Sequence, residues 1–462
     1  MSERMPMPGQ KPLIVGAARS GLAAARLLRR LGAEVLVCDG AAETGTRLAG
    51  EFAEGGIPVA WGQDGPELLR GRDYLVWSPG IRIDHPLARA ARAAGVPVLS
   101  ELEVAWRASR APFLCVTGTN GKSTVTDLAG ALLRGAGLGV EVCGNIGRPA
   151  CEAAPRAPAD GMVVAEVSSF QLETVDRLEP KVAVWLNLTP DHLDRHGDLA
   201  NYGAMKQRLF RRQGADDVAV WNADDPEVMK RRIPAGIPAA PASAFFSIAS
   251  PVEDGAYADG PALMLVQRGR AERLMAAGEM KLRGRHNLAN ALAAVAAVTP
   301  LGASPDSIRQ VLRDYAGLEH RMEPAGVVDG VEFVNDSKAT NVASLTVALR
   351  SFERKVVLIA GGRDKGQDFR PLAELVRERA KHLVLIGEGA DRIAQAWAGV
   401  PTSRAATLAE AVREALEQAR PDSSTVLLSP GCASFDMFQD YEDRGRQFKA
   451  EVERLRVVGG VS

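Results

Sequence analysis

Phe113-Leu-Cys-Val-Thr117-Gly-Thr-Asn-Gly-Lys-Ser-Thr124 is the stretch on which the reading of this chain turns. Its first five residues form a short apolar run of the kind that builds a strand buried on both faces of a parallel sheet. After it come two glycines within four residues, a lysine and two hydroxyl residues, and then an apolar-periodic segment with Val125, Leu128 and Leu132 on one helical face. Strand, glycine loop and helix in this order make a phosphate loop: glycine lets backbone N–H groups turn toward phosphate oxygens, and the helix N-terminus adds partial positive charge. Gly118, Thr119, Asn120 and Gly121 are the cradle, Lys122 is the cation for the β- and γ-phosphates, and the hydroxyl of Ser123 or Thr124 is the candidate ligand for Mg²⁺. The first glycine of the general nucleotidase loop would fall at position 116, which is Val116. A glycine turn with an incidental lysine is the bland alternative.

Upstream, short apolar segments alternate with amphipathic ones: Leu13 to Val15, a helix over 21–31, a strand over 34–38, and Tyr74 to Trp77 before Ser78-Pro-Gly80. That alternation predicts a parallel sheet with crossover helices. Gly16-Ala-Ala-Arg-Ser-Gly21 resembles a dinucleotide fingerprint but carries Ala18 where the middle glycine belongs. A redox dinucleotide, a nucleotide-diphosphate substrate and a bare structural turn all stay open, with the second favoured. A boundary is expected between Arg107 and Pro112.

Downstream, strands are expected over 162–166 and 182–187. Glu166-Val-Ser-Ser-Phe-Gln-Leu-Glu173 places a carboxylate at a strand end, where it can ligate Mg²⁺ beside a phosphate loop. Asp191-His-Leu-Asp-Arg-His196 follows the next strand; a zinc site lacks a fourth ligand here, and a magnesium or substrate role for His192 is the better reading. Lys206, on the following helix, reads from spacing alone as a solvated surface lysine. The segment from Pro241 to Met280 has strand-like pieces and turns and predicts a small extra sheet, after which a helix over 287–298 returns to the core. A third unit begins near Gly317. Three of its loops leave strand ends where open α/β sheets bind ligands: Asn335 to Asn341, Gly361 to Asp368, and Ser429 to Asp436. Lys338, Lys365 and Ser434 together suit an anionic co-substrate.

At 462 residues the chain exceeds one ordinary core, and roughly 150 residues per domain gives three. A net charge of −1 offers no global field for nucleic acid or an anionic membrane, so neither is expected as a partner. The five scattered cysteines lack metal-ligand spacing and suit a reducing cytoplasm; Cys143 is read as a small buried residue rather than a nucleophile. No apolar run is long enough to span a bilayer. A soluble, cytoplasmic monomer is expected.

Taken in order, these motifs resemble the Mur ligases over nearly the whole chain, with Gly144-Asn-Ile-Gly147, Gly284-Arg-His-Asn-Leu-Ala-Asn290, His320-Arg321 and Asp336-Ser-Lys-Ala-Thr340 adding to the match. Folylpolyglutamate synthases share the phosphate loop, but the N-terminal unit and the Phe170-Gln-Leu-Glu173 run argue against them. A non-catalytic, ATP-gated module is the alternative from another class. The resemblance implies an α/β fold of three domains: a Rossmann-like UDP-substrate domain over 1–109, a central ATPase domain over 110–316, and a Rossmann-like amino-acid domain over 317–462. It implies ATP and Mg²⁺, and attachment of D-glutamate to UDP-N-acetylmuramoyl-L-alanine through an acyl phosphate, a step of peptidoglycan synthesis. By resemblance Lys122, Glu166, His192 and Lys206 are catalytic; Ser123, Glu166, His192 and a carbamylated Lys206 surround the metal. Asn287, Asn290, Arg321 and Asp336 join Gly118 to Thr124 on ATP. Ser20, Gly21, Ser78, Gly80, Asn145 and His192 hold the UDP-sugar substrate. Lys338, Thr340, Lys365, Ser434 and Tyr441 surround D-glutamate, with Tyr441 standing where the family pattern has Phe.

Overall fold

Three sheets organise the described residues, and in each the loops of interest leave the carboxyl ends of neighbouring parallel strands. The computed structural model describes residues 9–43, 48–145, 147–233, 240–282, 284–364 and 366–459. It divides into two compact units, 1–315 and 316–462.

The first unit holds two sheets. In the N-terminal one, five parallel strands run in the spatial order Val59–Trp61, Leu36–Asp39, Leu13–Val15, Leu75–Trp77, Val98–Ser100. The order reverses direction between Leu13–Val15 and Leu75–Trp77, and such a reversal opens a ligand crevice beyond the strand ends. Gly16 and Ser78 meet there. A Cβ on Gly16 (φ +103°) would stand 2.5 Å from the Ser78 hydroxyl oxygen, and a Cβ on Gly21 would overlap the Gly16 carbonyl oxygen. Gly21 lies in the helix Arg19–Arg30, where alanine would ordinarily be favoured by about 1 kcal/mol. Sterics oppose that preference. Gly21→Ala is therefore expected to destabilise the protein by about 1–3 kcal/mol, read from urea unfolding. An unchanged midpoint would remove close packing as the reason for this glycine.

The central sheet has nine strands. Val140–Gly144, Met162–Glu166, Phe113–Thr117, Val182–Trp185, Val218–Asn222, Ala242–Ser247 and Gly255–Asp259 pair in parallel, and Ala262–Gln267 and Arg270–Ala276 extend the edge antiparallel. The strand-rich segment foreseen after Pro241 is thus continuous with the main sheet. Helix Lys122–Gly135 packs on one face beside helix Arg285–Val298, whose alanines allow close approach. Every residue of Phe113–Thr117 is buried, which explains the unbroken apolar run.

In the second unit, Val331–Asn335, Val426–Leu428, Val356–Gly361, Ala380–Ile386 and Thr402–Arg404 are parallel, and Glu323–Val328 caps the edge antiparallel. Among the described residues no helix is long and apolar enough to cross a membrane.

Candidate active site

Three adjacent central strands deliver the site of the first unit. Phe113–Thr117 ends in the phosphate loop; its neighbour Met162–Glu166 ends in Glu166, and its other neighbour, Val182–Trp185, runs on to Asn187 and Asp191. Gly118 (φ +155°) and Gly121 (φ +84°) hold the curl, and a Cβ on Gly121 would stand 2.5 Å from the Asn290 side-chain oxygen. Asn290 and Asn287 share a hydrogen bond of 3.3 Å at the start of their helix, so both asparagines predicted for ATP face this loop. Asn187 shapes it. Its side-chain oxygen accepts from the N–H groups of Thr119 (3.0 Å) and Asn120 (2.8 Å), and its amide donates to the Asn120 carbonyl (3.0 Å).

Lys122 lies back over the loop, its ammonium donating to the carbonyls of Thr119 (2.8 Å) and Gly118 (3.1 Å). The Gly118 carbonyl also accepts from the Lys206 Nζ at 2.8 Å. Lys206 has none of its surface exposed, which overturns the reading of a solvated lysine; its Nζ also sits 4.4 Å from the centre of the Tyr202 ring. Burial, and then the Lys122 ammonium, push its amine well below the usual lysine range, with Asp191 and Glu166 opposing. Lowering an amine's pKa favours its neutral, nucleophilic form.

Glu166 is 2% exposed. Its Oε1 accepts from the Asn145 amide at 2.7 Å, whereas its Oε2 is buried with no hydrogen-bond partner. An orphaned buried carboxylate oxygen costs free energy unless something cationic meets it, so this residue fits a metal ion. Ser123, buried at the first turn of the loop's helix, offers a hydroxyl to the same function. Among the described residues no three side chains of His, Cys, Asp and Glu come together as a group that could hold a metal ion. His192 is half-exposed and left-handed (φ 54°), with its N–H donating to the Asp191 carboxylate at 3.0 Å and its ring 4.8 Å from that of Phe170. In the Glu166-to-Glu173 run, Ser168 and Gln171 form a reciprocal capping box on the helix Ser169–Leu172. Cys143 is buried, and burial together with Glu101 pushes its thiol up, which disfavours the nucleophilic thiolate.

Ser20, Gly21, Ser78 and Gly80 border the crevice of the N-terminal sheet. Arg19 reaches across to donate to the Gly147 carbonyl at 2.8 Å, which brings the Asn145 turn to the same edge. Ala17 N–H donates to Asp39 at 2.7 Å, and the helix Arg19–Arg30 starts with neither a side-chain cap nor an acidic residue in its first turn. Those free N–H groups suit an anion.

In the second unit, Asp336 is buried and accepts from the Ser429 hydroxyl (2.8 Å) and the Met322 N–H (3.3 Å). Burial raises its carboxyl to about 7, with Ser429 and then Arg321 opposing. Arg444, fully buried, ties two of the three loops together: it donates to the hydroxyl (2.9 Å) and carbonyl (2.8 Å) of Ser337 and to the Cys432 carbonyl (3.2 Å). Lys338 Nζ lies 5.8 Å from the Tyr441 ring centre, and Ser434 is buried in the neighbouring loop, whose Ala433 carbonyl accepts from Arg363 N–H. Thr340 is half-buried, while Lys365 lies outside the described residues.

Family models match three consecutive stretches of the chain: the Mur ligase MurD-like N-terminal domain over residues 10–100, the Mur ligase middle domain over 116–298, and the Mur ligase glutamate ligase domain over 320–432. The chain belongs to the Mur ligase family. A Mur ligase relative from Pelotomaculum thermopropionicum, named UDP-N-acetylmuramoylalanine–D-glutamate ligase, is 43% identical over 458 residues, covering 97% of this chain and 98% of its own. One of the same name from Myxococcus xanthus is 44% identical over 459 residues, with coverage of 97% and 99%. Among solved structures, a UDP-N-acetylmuramate-alanine ligase from Thermotoga maritima superposes with a TM-score of 0.57 at 18% identity, covering 97% of this chain and 99% of that one, which is a likeness of fold.

Within this Mur ligase, Asn187, Tyr202, Arg195 and Arg444 were not among the residues singled out from sequence. Asn187 had a signal: a polar residue closing the apolar run expected as a strand over 182–187. Arg444 had none, because a charged residue in a charge-rich helix gives no hint of burial.

Proposed function

We propose that the chain is an ATP-dependent amide ligase that adds D-glutamate to UDP-N-acetylmuramoyl-L-alanine in cytoplasmic peptidoglycan precursor synthesis. The observation that carries the reading is full-length identity above 40% to ligases of that name, joined to a phosphate loop flanked by a buried, half-orphaned glutamate. The γ-phosphoryl group of ATP passes to the substrate carboxylate, giving an acyl phosphate and ADP. The D-glutamate amine attacks that carbonyl, and the tetrahedral intermediate expels phosphate to leave the amide.

The chain's own residues supply electrostatics and placement. Loop N–H groups and Lys122 hold the β- and γ-phosphates, offsetting charge that builds up as the phosphoryl group transfers. Asn287, Asn290, Arg321 and Asp336 are the further residues assigned to the nucleotide. Ser20, Gly21, Ser78, Gly80 and Asn145 take the UDP-sugar substrate, and Lys338, Thr340, Lys365, Ser434 and Tyr441 take D-glutamate. Ser123, Glu166, His192 and Lys206, once carbamylated, hold magnesium, which when bound neutralises phosphate charge. The carbamate turns a buried cation into an anion. The proposed domain limits are 1–109, 110–316 and 317–462.

Omitting one component at a time from a phosphate-release assay tests the reading: turnover should require ATP, Mg²⁺, the UDP-linked substrate and D-glutamate together. Equal phosphate release without the UDP-linked substrate would make the chain a nucleotidase instead. Lys206 adds a stability prediction. Lys206→Met removes a fully buried ammonium and, in bicarbonate-free buffer, should stabilise the fold by about 1 kcal/mol or more while turnover falls. A lower unfolding midpoint would mean that the ammonium is better satisfied than its surroundings indicate.

A further inference from the structure

We propose that Arg195 is a positioning residue that ties the UDP-substrate loop to the two segments carrying the proposed metal ligands, and so sets where the reacting carboxylate lies. This rests on the function proposed above. Arg195 belongs to the short helix Leu193–His196, directly after His192. Its side chain is 9% exposed and that of Glu173 6%. The guanidinium meets Glu173 as a fork, Nε to Oε1 at 2.9 Å and Nη2 to Oε2 at 2.6 Å. Its other donors turn to the N-terminal sheet: Nη1 to the Pro79 carbonyl at 2.7 Å and Nη2 to the Ile81 carbonyl at 3.0 Å. The Ile81 carbonyl also accepts from the Trp77 indole at 3.0 Å, which fixes the loop at its far side.

Pro79 lies between Ser78 and Gly80, at the reversal of strand order where that sheet opens its crevice. Glu173 ends the segment that begins at Glu166. Phe170, within that segment, has the guanidinium carbon 4.1 Å from its ring centre and the His192 ring at 4.8 Å. His196 adds a second tie, with Nε2 3.0 Å from the Ser169 hydroxyl. One side chain thus links the loop of the UDP end to both segments beside the phosphate loop. A substrate that spans the two must present its carboxylate within about 3–3.5 Å of the γ-phosphorus, and displacement by about 1 Å costs on the order of a hundredfold in rate. Lysine cannot replace the arrangement, because a point ammonium lacks the planar fork and its extra donors.

The test uses the full-length chain and steady-state kinetics for each substrate separately. Arg195→Lys should raise KM for UDP-N-acetylmuramoyl-L-alanine about tenfold or more and lower kcat, leaving KM for ATP within about twofold. Glu173→Gln, nearly isosteric, should shift the same constants in the same direction by less, and it carries the test should Arg195→Lys fail to fold. A KM for the UDP-linked substrate within about twofold of wild type, or a parallel rise in KM for ATP, would overturn the assignment. Wild-type turnover of the same substrate, measured alongside, separates that outcome from failure of the proposed function.

Discussion

Lys122→Ala is expected to lower kcat by on the order of a thousandfold or more, with the fold retained. The ammonium lies at the start of the helix Lys122–Gly135 and folds back over the carbonyls of Gly118 and Thr119, so a phosphate placed in the loop meets its charge directly. Phosphoryl transfer leaves little covalent work for the protein, and catalysis is mostly positioning and charge stabilisation. Arginine should not restore the rate, since a guanidinium is a larger, planar group in a loop closed by Leu186, Asn187 and Asn290. The substitution should also raise the proton affinity of the Lys206 amine, because the like charge of Lys122 lowers it. Phosphate-release kinetics report the first effect, and thermal melting checks the fold. Turnover above about a tenth of wild type would place the phosphate cation elsewhere.

Glu166→Gln is the second large effect. The substitution preserves size and the contact with Asn145 but removes the negative charge on the buried Oε2. A structural glutamate would lose stability on such a change. An unpartnered buried carboxylate behaves in the opposite way: stability is unchanged or higher, and kcat falls by about a hundred- to a thousandfold. Raising magnesium should recover little, because the ligand charge itself is gone. A variant that melts lower yet turns over normally would assign Glu166 to the scaffold.

The phosphate loop was legible because its chemistry is local: glycines at positive φ, a lysine and a hydroxyl residue in one short stretch between a buried strand and a helix. Val116 in place of the usual first glycine follows from the strand continuing through that position, fully buried. Glu166 was legible for the same reason, as a charge at the end of an apolar run. Lys206 was not. Its helix, Leu199–Gln207, buries Tyr202, Gly203 and Lys206, and Lys206 reaches the phosphate loop at Gly118, a contact with a distant segment that spacing cannot reveal. Arg195 stood in view inside the Asp191-to-His196 run, but its partners Pro79 and Ile81 are more than a hundred residues away and offer only backbone carbonyls, which any sequence would supply. In the second unit the loops were found from their strand ends, and Arg444, which joins two of them, was hidden by its charge.

Amino-acid specificity is the most direct test of the function. Purified protein given ATP, Mg²⁺ and UDP-N-acetylmuramoyl-L-alanine should form an amide product with D-glutamate and show no comparable turnover with L-glutamate or meso-diaminopimelate. Efficient amide formation with either of those in place of D-glutamate would contradict it.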